Sequence, residues 1–182
     1  MASLIDKWNK EMASKGIPFR TAQARSWLQG KIVQTRIPTN RSNILNDAKR
    51  IAPQAFVGRM YFFRYDPKYK ERLPVYDEFP LVIPMSVEGN GFMGINLHYL
   101  GAGTRLGLLN QLQIFLNNDK YDDSTRFNLS YDLLTSMSRF GMVQQCVRRY
   151  LYSHILSSII YIEPNNWETA IFLPTENMVY KK

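Results

Sequence analysis

A chain of 182 residues has the length of one domain, or of one domain with an extension, and its 45% hydrophobic and 13% aromatic content can build a sizeable core. No apolar run approaches the ~18 residues of a membrane span, and the single Cys146 with the two histidines His98 and His154 excludes both an internal disulfide framework and a zinc cage of Cys and His alone. The net charge of +8 is lopsided: residues 1–72 hold 15 Lys or Arg against 5 Asp or Glu, whereas residues 73–182 hold 8 against 10. Such asymmetry points to an anionic partner, nucleic acid or an acidic protein surface, against the plainer reading of a solvated face.

In chain order, the first segment carries acidic residues and no continuous apolar stretch, so it does not read as a secretory signal, and the lone thiol fits a reducing compartment. Leu4, Trp8 and Met12 recur every four residues and predict a helix over 3–15, with Ser3 and Asp6 as its capping pair and Gly16-Ile17-Pro18 as its stop. Ala24, Trp27, Leu28 and Ile32 share a face of a second helix, Thr21 to Val33. The stretch TRIPTN reads as a connector. A third, short helix starts near Ser42, carries Ile44, Leu45, Ala48 and Ile51, and stops at Pro53. Residues 1–55 thus form a basic helical N-terminal extension, and residues 56–182 a core domain.

The core domain opens with strands. Arg59 to Tyr65, Phe79 to Met85 and Phe92 to Leu97 are apolar, aromatic-rich runs separated by Asp66-Pro67, a charged connection at Lys68 to Arg72, and Glu88-Gly89-Asn90-Gly91. The last is a hairpin signal, because Asn and Gly tolerate positive φ. Pro84 belongs at a sheet edge or a strand end. After Gly101 and Gly103, with Thr104 as a cap, Leu106, Leu108, Leu109, Leu112, Phe115 and Leu116 stripe a helix. Asn117 to Ser124 is an acidic loop, and a helix through Ser130, Leu133, Leu134 and Met137 ends at Gly141. Val143, Cys146, Val147 and Tyr150 share a helical face over 142–151, Ile155 to Ile162 favours a strand, and Asn165 with Glu168 caps a last turn around Trp167. The expected fold class is α+β: a small curved antiparallel sheet, for which an SH3-like barrel is one arrangement, packed with several helices.

No catalytic constellation stands out. Asp66, Asp77 and Glu78 beside a Lys/Arg-rich loop admit a metal-dependent nuclease, but carboxylates at turns are ordinary. His98 after a strand admits a general base, yet no nucleophile elbow accompanies it, and a packing or hydrogen-bonding role fits better, as it does for His154. Cys146 reads as a buried structural thiol. Gly101 to Thr104, with Arg105, lacks the ending of a phosphate loop, although a helix start can receive one phosphate. The interleaving of Arg59, Tyr61, Arg64, Tyr65, Lys68, Tyr69, Lys70 and Arg72 is more informative: cations attract phosphate and flat rings stack on bases. The competing reading puts Tyr61, Phe63 and Tyr65 in the core and leaves the cations solvated.

The runs Tyr65-Asp66-Pro67-Lys68, Leu73-Pro74-Val75-Tyr76-Asp77, Phe79-Pro80-Leu81-Val82 and Gly94-Ile95-Asn96-Leu97-His98-Tyr99-Leu100 are distinctive. With Arg149-Tyr150-Leu151 and the Trp167 to Glu176 stretch, they resemble a family of small virion proteins of T4-like contractile-tailed bacteriophages over residues 56–178. The resemblance implies a DNA end protector that shields packaged genome ends from exonuclease, or a structural protein, and it transfers no individual residue.

The reading is therefore a non-enzymatic virion protein, assembled in the host cytoplasm, with no metal, cofactor or membrane. Its partners are other virion proteins, in a multimeric setting, and double-stranded DNA held by its backbone phosphates. The candidate contacts are Lys49, Arg50, Arg59, Arg64, Lys68, Lys70 and Arg72. The alternative is a baseplate, hub or neck component with no DNA contact; a metal-dependent nuclease ranks behind both.

Overall fold

Residues 60–65 have two apolar faces, and their alternation organises the sheet. In the computed structural model, which describes residues 4–35, 41–116, 118–139 and 141–181, Met60 and Phe62 join one core cluster while Tyr61, Phe63 and Tyr65 join another. The strands are β1 (Ile51–Ala52), β2 (Met60–Phe62), β3 (Val75–Asp77), β4 (Leu81–Glu88), β5 (Gly91–Asn96), β6 (Val147–Leu151), β7 (Ile159–Ile162) and β8 (Met178–Tyr180). Six of them form an antiparallel sheet in the order β1-β7-β2-β4-β5-β6, and β3 pairs with β8 in a small second sheet. The class is mixed α+β, as expected.

The hairpin stands where its turn residues put it, with Glu88 opposite Gly91. Gly89 and Asn90 reverse the chain without positive φ at either residue. Pro84 corrects the expectation of an edge or a strand end. It lies inside β4, between β2 and β5, where the register shifts between Pro84 and Ser86. Pro84 keeps its register with Gly94, while its O accepts from Gly58 N at 3.0 Å beyond the residues of β4 that pair with β2, so no strand partner among the described residues calls for the N–H that proline lacks.

Beyond β2 the sheet curls back on itself. Tyr65 bridges Ile155, Leu156 N donates to Arg64 O at 2.8 Å, and Asp66 N donates to His154 O at 3.0 Å. The curl encloses a small aromatic core in which Phe63 meets Tyr150 and Phe92 edge-on, at ring-centroid distances of 5.5 and 6.0 Å.

Helices cover the other face. They are α1 (Leu4–Ser14), α2 (Ala22–Thr35), α3 (Arg41–Leu45), α4 (Ala102–Leu116), α5 (Asp123–Ser138), α6 (Gly141–Gln144) and α7 (Trp167–Phe172). Trp8, Met12, Ala24 and Leu28 of the first two helices are buried in the same cluster as Phe62, Ile83, Leu109, Leu134 and Trp167. Full burial of a large apolar side chain stabilises by about 1.5–3 kcal/mol, so Trp8 and Met12 anchor α1 firmly against α7 and the sheet.

Several elements differ from expectation. Residues 147–151 form a strand, not a helix: α6 ends where Cys146 N donates to Val143 O at 2.8 Å, and the open edge of β5 then takes the chain. The spacing 143/146/147/150 fits a helical face, but over so short a run period cannot separate helix from strand. The third helix stops at Leu45, and a 3-10 turn at Ala48–Arg50 leads Ile51 into β1. Helix α5 starts earlier, because Asp122 Oδ1 accepts Thr125 N at 2.7 Å. Helix α4 begins at Ala102, ahead of Thr104. Asn166 occupies the start of α7 without a side-chain capping bond, while Glu168 turns inward to Gln113. The expected cap at Ser3, the connector at 36–40, and the side chains of Ile32, Leu116 and Met137 lie outside the described residues.

Candidate nucleic-acid interface

The site begins with a buried acid. Asp77 ends β3, where its Oδ2 accepts from His98 Nδ1 at 2.7 Å and from Asn96 Nδ2 at 3.0 Å. Its Oδ1 accepts the backbone N–H of Phe79 at 3.0 Å and of Asn177 at 3.3 Å. His98 Nε2 lies 3.0 Å from Thr175 Oγ1. Burial by itself pushes the Asp77 carboxyl up. The hydrogen bond and charge of His98, with the Asn96 amide and the Phe79 N–H, outweigh burial and hold it below the ordinary value. This acid–imidazole–hydroxyl chain has the order of a catalytic triad, but all three side chains are enclosed and the hydroxyl belongs to a buried threonine. It pins the β3–β8 layer to the main sheet.

Against that pin lies a cleft of about 290 Å³, lined by Tyr65, Lys68, Tyr76, Asp77, Asn96, Tyr99, Arg148, Arg149, Tyr150 and neighbouring apolar residues. Tyr65, Tyr150, Asp77 and Asn96 are buried, so they form its inner wall. Lys68 and Arg149 are exposed at its mouth, and the half-buried Arg148 guanidinium stacks over the Tyr99 ring at 5.0 Å. Arg149 is paired with Glu88 at 2.7 Å and with Asn90 Oδ1 at 3.1 Å. Lys68 and Arg148 have no ion-pair partner among the described residues. Burial raises the hydroxyls of Tyr65 and Tyr99, so both rings stay neutral at ordinary pH.

The structure does not gather the candidate cations into one cluster. Lys68 alone lines the cleft. Arg72 adjoins it through Tyr69, an exposed ring that Lys68 and Arg72 approach at 5.0 and 5.5 Å. Lys70 is paired with Asp66 at 2.8 Å. Arg64 is exposed where the sheet curls, and its N–H donates to Ser157 Oγ. Arg59 stands over Phe56 and Tyr161 at 4.9 and 5.5 Å, near the other end of the sheet. Lys49 is exposed and Arg50 is bridged to Asp47 at 3.3 Å, both leading into β1. Tyr61 and Phe63 are wholly buried, so neither ring is offered to a base.

Arg148 and Arg149 are the cleft residues that sequence reading missed. Read as a strand, residues 147–151 put Arg148 and Tyr150 on one face, and that alternation was the available signal. The carboxylates weighed for a metal do not converge: Asp66 pairs with Lys70, Asp77 faces His98, and Glu78 accepts from the Asn177 amide. No group of three or more His, Cys, Asp or Glu among the described residues is arranged to hold a metal ion. His154 clamps the Asp66 turn, donating from Nδ1 to Asp66 O at 2.8 Å. Arg105 ties Ile171 O and Leu100 O at 3.0 and 3.2 Å and does not reach outward from the helix start. Cys146 is buried, and burial pushes its thiol up.

Fold and site together define an α+β protein whose curled sheet carries an aromatic cleft with cations at its mouth. Residues 11–182 match the model of the family described as the phage T4 terminal DNA protecting protein, and the chain belongs to that family. The match takes in the end of α1 and all of α2 as well as the 56–178 region whose motifs carry the resemblance. No curated protein and no solved structure matches the chain. Membership makes this a bacteriophage protein of a kind that protects DNA ends.

Proposed function

We propose that the chain is a non-enzymatic component of the phage particle that binds the end of packaged duplex DNA and shields it from exonuclease. The family match over residues 11–182 carries this reading. The arrangement of charge supports it. Lys68 and Arg148 line the cleft, Arg72 shares the Tyr69 ring with Lys68, and Arg64, Lys49 and Arg59 are exposed elsewhere on the surface; such groups neutralise phosphates without reading sequence. His98 and Asp77, the residues best suited to proton transfer, have their polar atoms engaged with one another and with Asn96 and Thr175, which favours a structural role. Neighbouring virion proteins have a place to attach at β1, an edge strand whose Ile51 is 51% exposed.

The test is digestion of linear duplex DNA by a processive exonuclease with the protein present, beside binding across a salt series. Protection of the linear DNA, with affinity falling steeply as salt rises, is expected. Full digestion at saturating protein, or affinity indifferent to salt, would overturn the reading.

A further inference from the structure

We infer that the tyrosine-lined cleft receives one unpaired nucleotide at the DNA end, base inward and phosphate at the mouth; this rests on the end-binding function proposed above. The cleft volume, about 290 Å³, sits at the small end of ligand pockets, which start at roughly 300 Å³. It is too small for a duplex and suits one flat group. Its lining is mostly apolar, and of its tyrosines the half-buried Tyr76 and Tyr99 offer ring surface on which any base stacks whatever its identity, while the buried Tyr65 and Tyr150 form the inner wall.

Polar groups set the direction of entry. Asp77 lies in the inner wall, where its two carboxylate oxygens already take the hydrogen bonds of His98, Asn96, Phe79 and Asn177, so these donors are not available to a phosphate at the depth. Lys68 and Arg148 stand toward the mouth, where a phosphate gains two cations. A base inside with its phosphate outside satisfies both ends of the cleft. An internal base pair must break stacking on both sides to reach such a site, whereas a terminal pair has one stacked neighbour, and unstacking is cheapest for a base already loosely held. The cleft therefore separates a DNA end from DNA interior by the cost of opening it, with no dependence on sequence.

The full chain is titrated against a linear duplex with 2-aminopurine at its terminal position, the same duplex with the probe at its centre, and a dumbbell whose ends are closed by hairpin loops. A change in emission confined to the terminal probe, and about tenfold or greater preference for the open duplex over the dumbbell, are expected. Tyr76→Ala should erase the preference while leaving dumbbell binding in place, whereas Arg148→Gln, which removes a phosphate-facing cation, should weaken binding to both duplexes. Equal affinity for open and closed ends, with both probes silent, overturns the inference but leaves duplex binding standing. Absence of binding to every duplex overturns the end-binding function itself.

Discussion

His98 Nδ1 lies 2.7 Å from Asp77 Oδ2, with the two side chains 0% and 1% exposed. Asp77 ends β3 and His98 follows β5, so this contact fastens the small second sheet to the large one and shapes the inner wall of the cleft. Removing the carboxylate leaves the buried donors of His98 and Asn96 without their acceptor, at about 1–3 kcal/mol for each. Asp77→Ala should lose that amount of unfolding free energy in a urea titration. A loss below about 1 kcal/mol, the scale of an ordinary exposed pair, would show that the contact is not a structural pin.

The pH dependence of the same group has a definite sign. In the folded chain the Asp77 carboxyl titrates below its ordinary value of 3.8. Its contribution to stability is complete above that value and is lost as pH falls through the lower, folded value. Wild-type melting temperature should therefore drop more in strong acid than that of Asp77→Asn, and parallel acid limbs for the two proteins would contradict this.

Glu168 runs the other way. It is 1% exposed; burial raises its carboxyl, with the Gln113 amide and Arg25 opposing only in part. Its ionised form destabilises the fold at neutral pH, and the penalty is absent below the unfolded value of 4.5. Glu168→Gln should raise the melting temperature at neutral pH, and the gain should vanish below that value. A neutral-pH melting temperature at or below wild type would count against it.

Gly91 is required by close approach. A Cβ there would lie 2.0 Å from the backbone oxygen of Tyr150, an atom held in the β5–β6 pairing, whereas at Gly89 nothing lies within 4 Å. Gly91→Ala should cost about 1–3 kcal/mol or more as the strands are forced apart, and Gly89→Ala should be close to neutral. Thermal melts of the two variants separate these outcomes, and equal melting temperatures would refute the steric account.

The cations at the cleft mouth should be visible in salt dependence. Each Lys or Arg that neutralises a phosphate contributes about one unit to the slope of log affinity against log salt. Lys68→Gln and Arg148→Gln should each flatten the slope by about one unit. Lys70→Gln should change it less, since Lys70 is already matched with Asp66 at 2.8 Å. Identical slopes for wild type and all three variants would remove these residues from the interface.

The parts of the fold legible in the sequence are those whose stabilising partners lie within a turn or two of chain. Trp8 and Met12 mark α1, Leu108, Leu109 and Leu112 mark α4, and the Gly89-Asn90 loop marks the β4–β5 hairpin, because helical and alternating periods are local properties. The strand β6 was not legible: its residues satisfy a helical face equally well, and only the unpaired edge of β5 selects the extended form. β3 and β8 are three residues each and are stabilised by one another, about a hundred positions apart.

Sequence alone determined the mixed class, the asymmetry of charge and the kinship to a DNA-end-protecting family, since composition and motif need no partner in space. Tertiary structure decided which cations face a cleft, that His98 meets Asp77 and Thr175, and that Arg148 shares a site with Lys68 and Tyr99. Those contacts arise where the sheet curls and the C-terminal segment returns. They depend on long-range pairing whose free energy is set by the whole core, and no window of residues contains it.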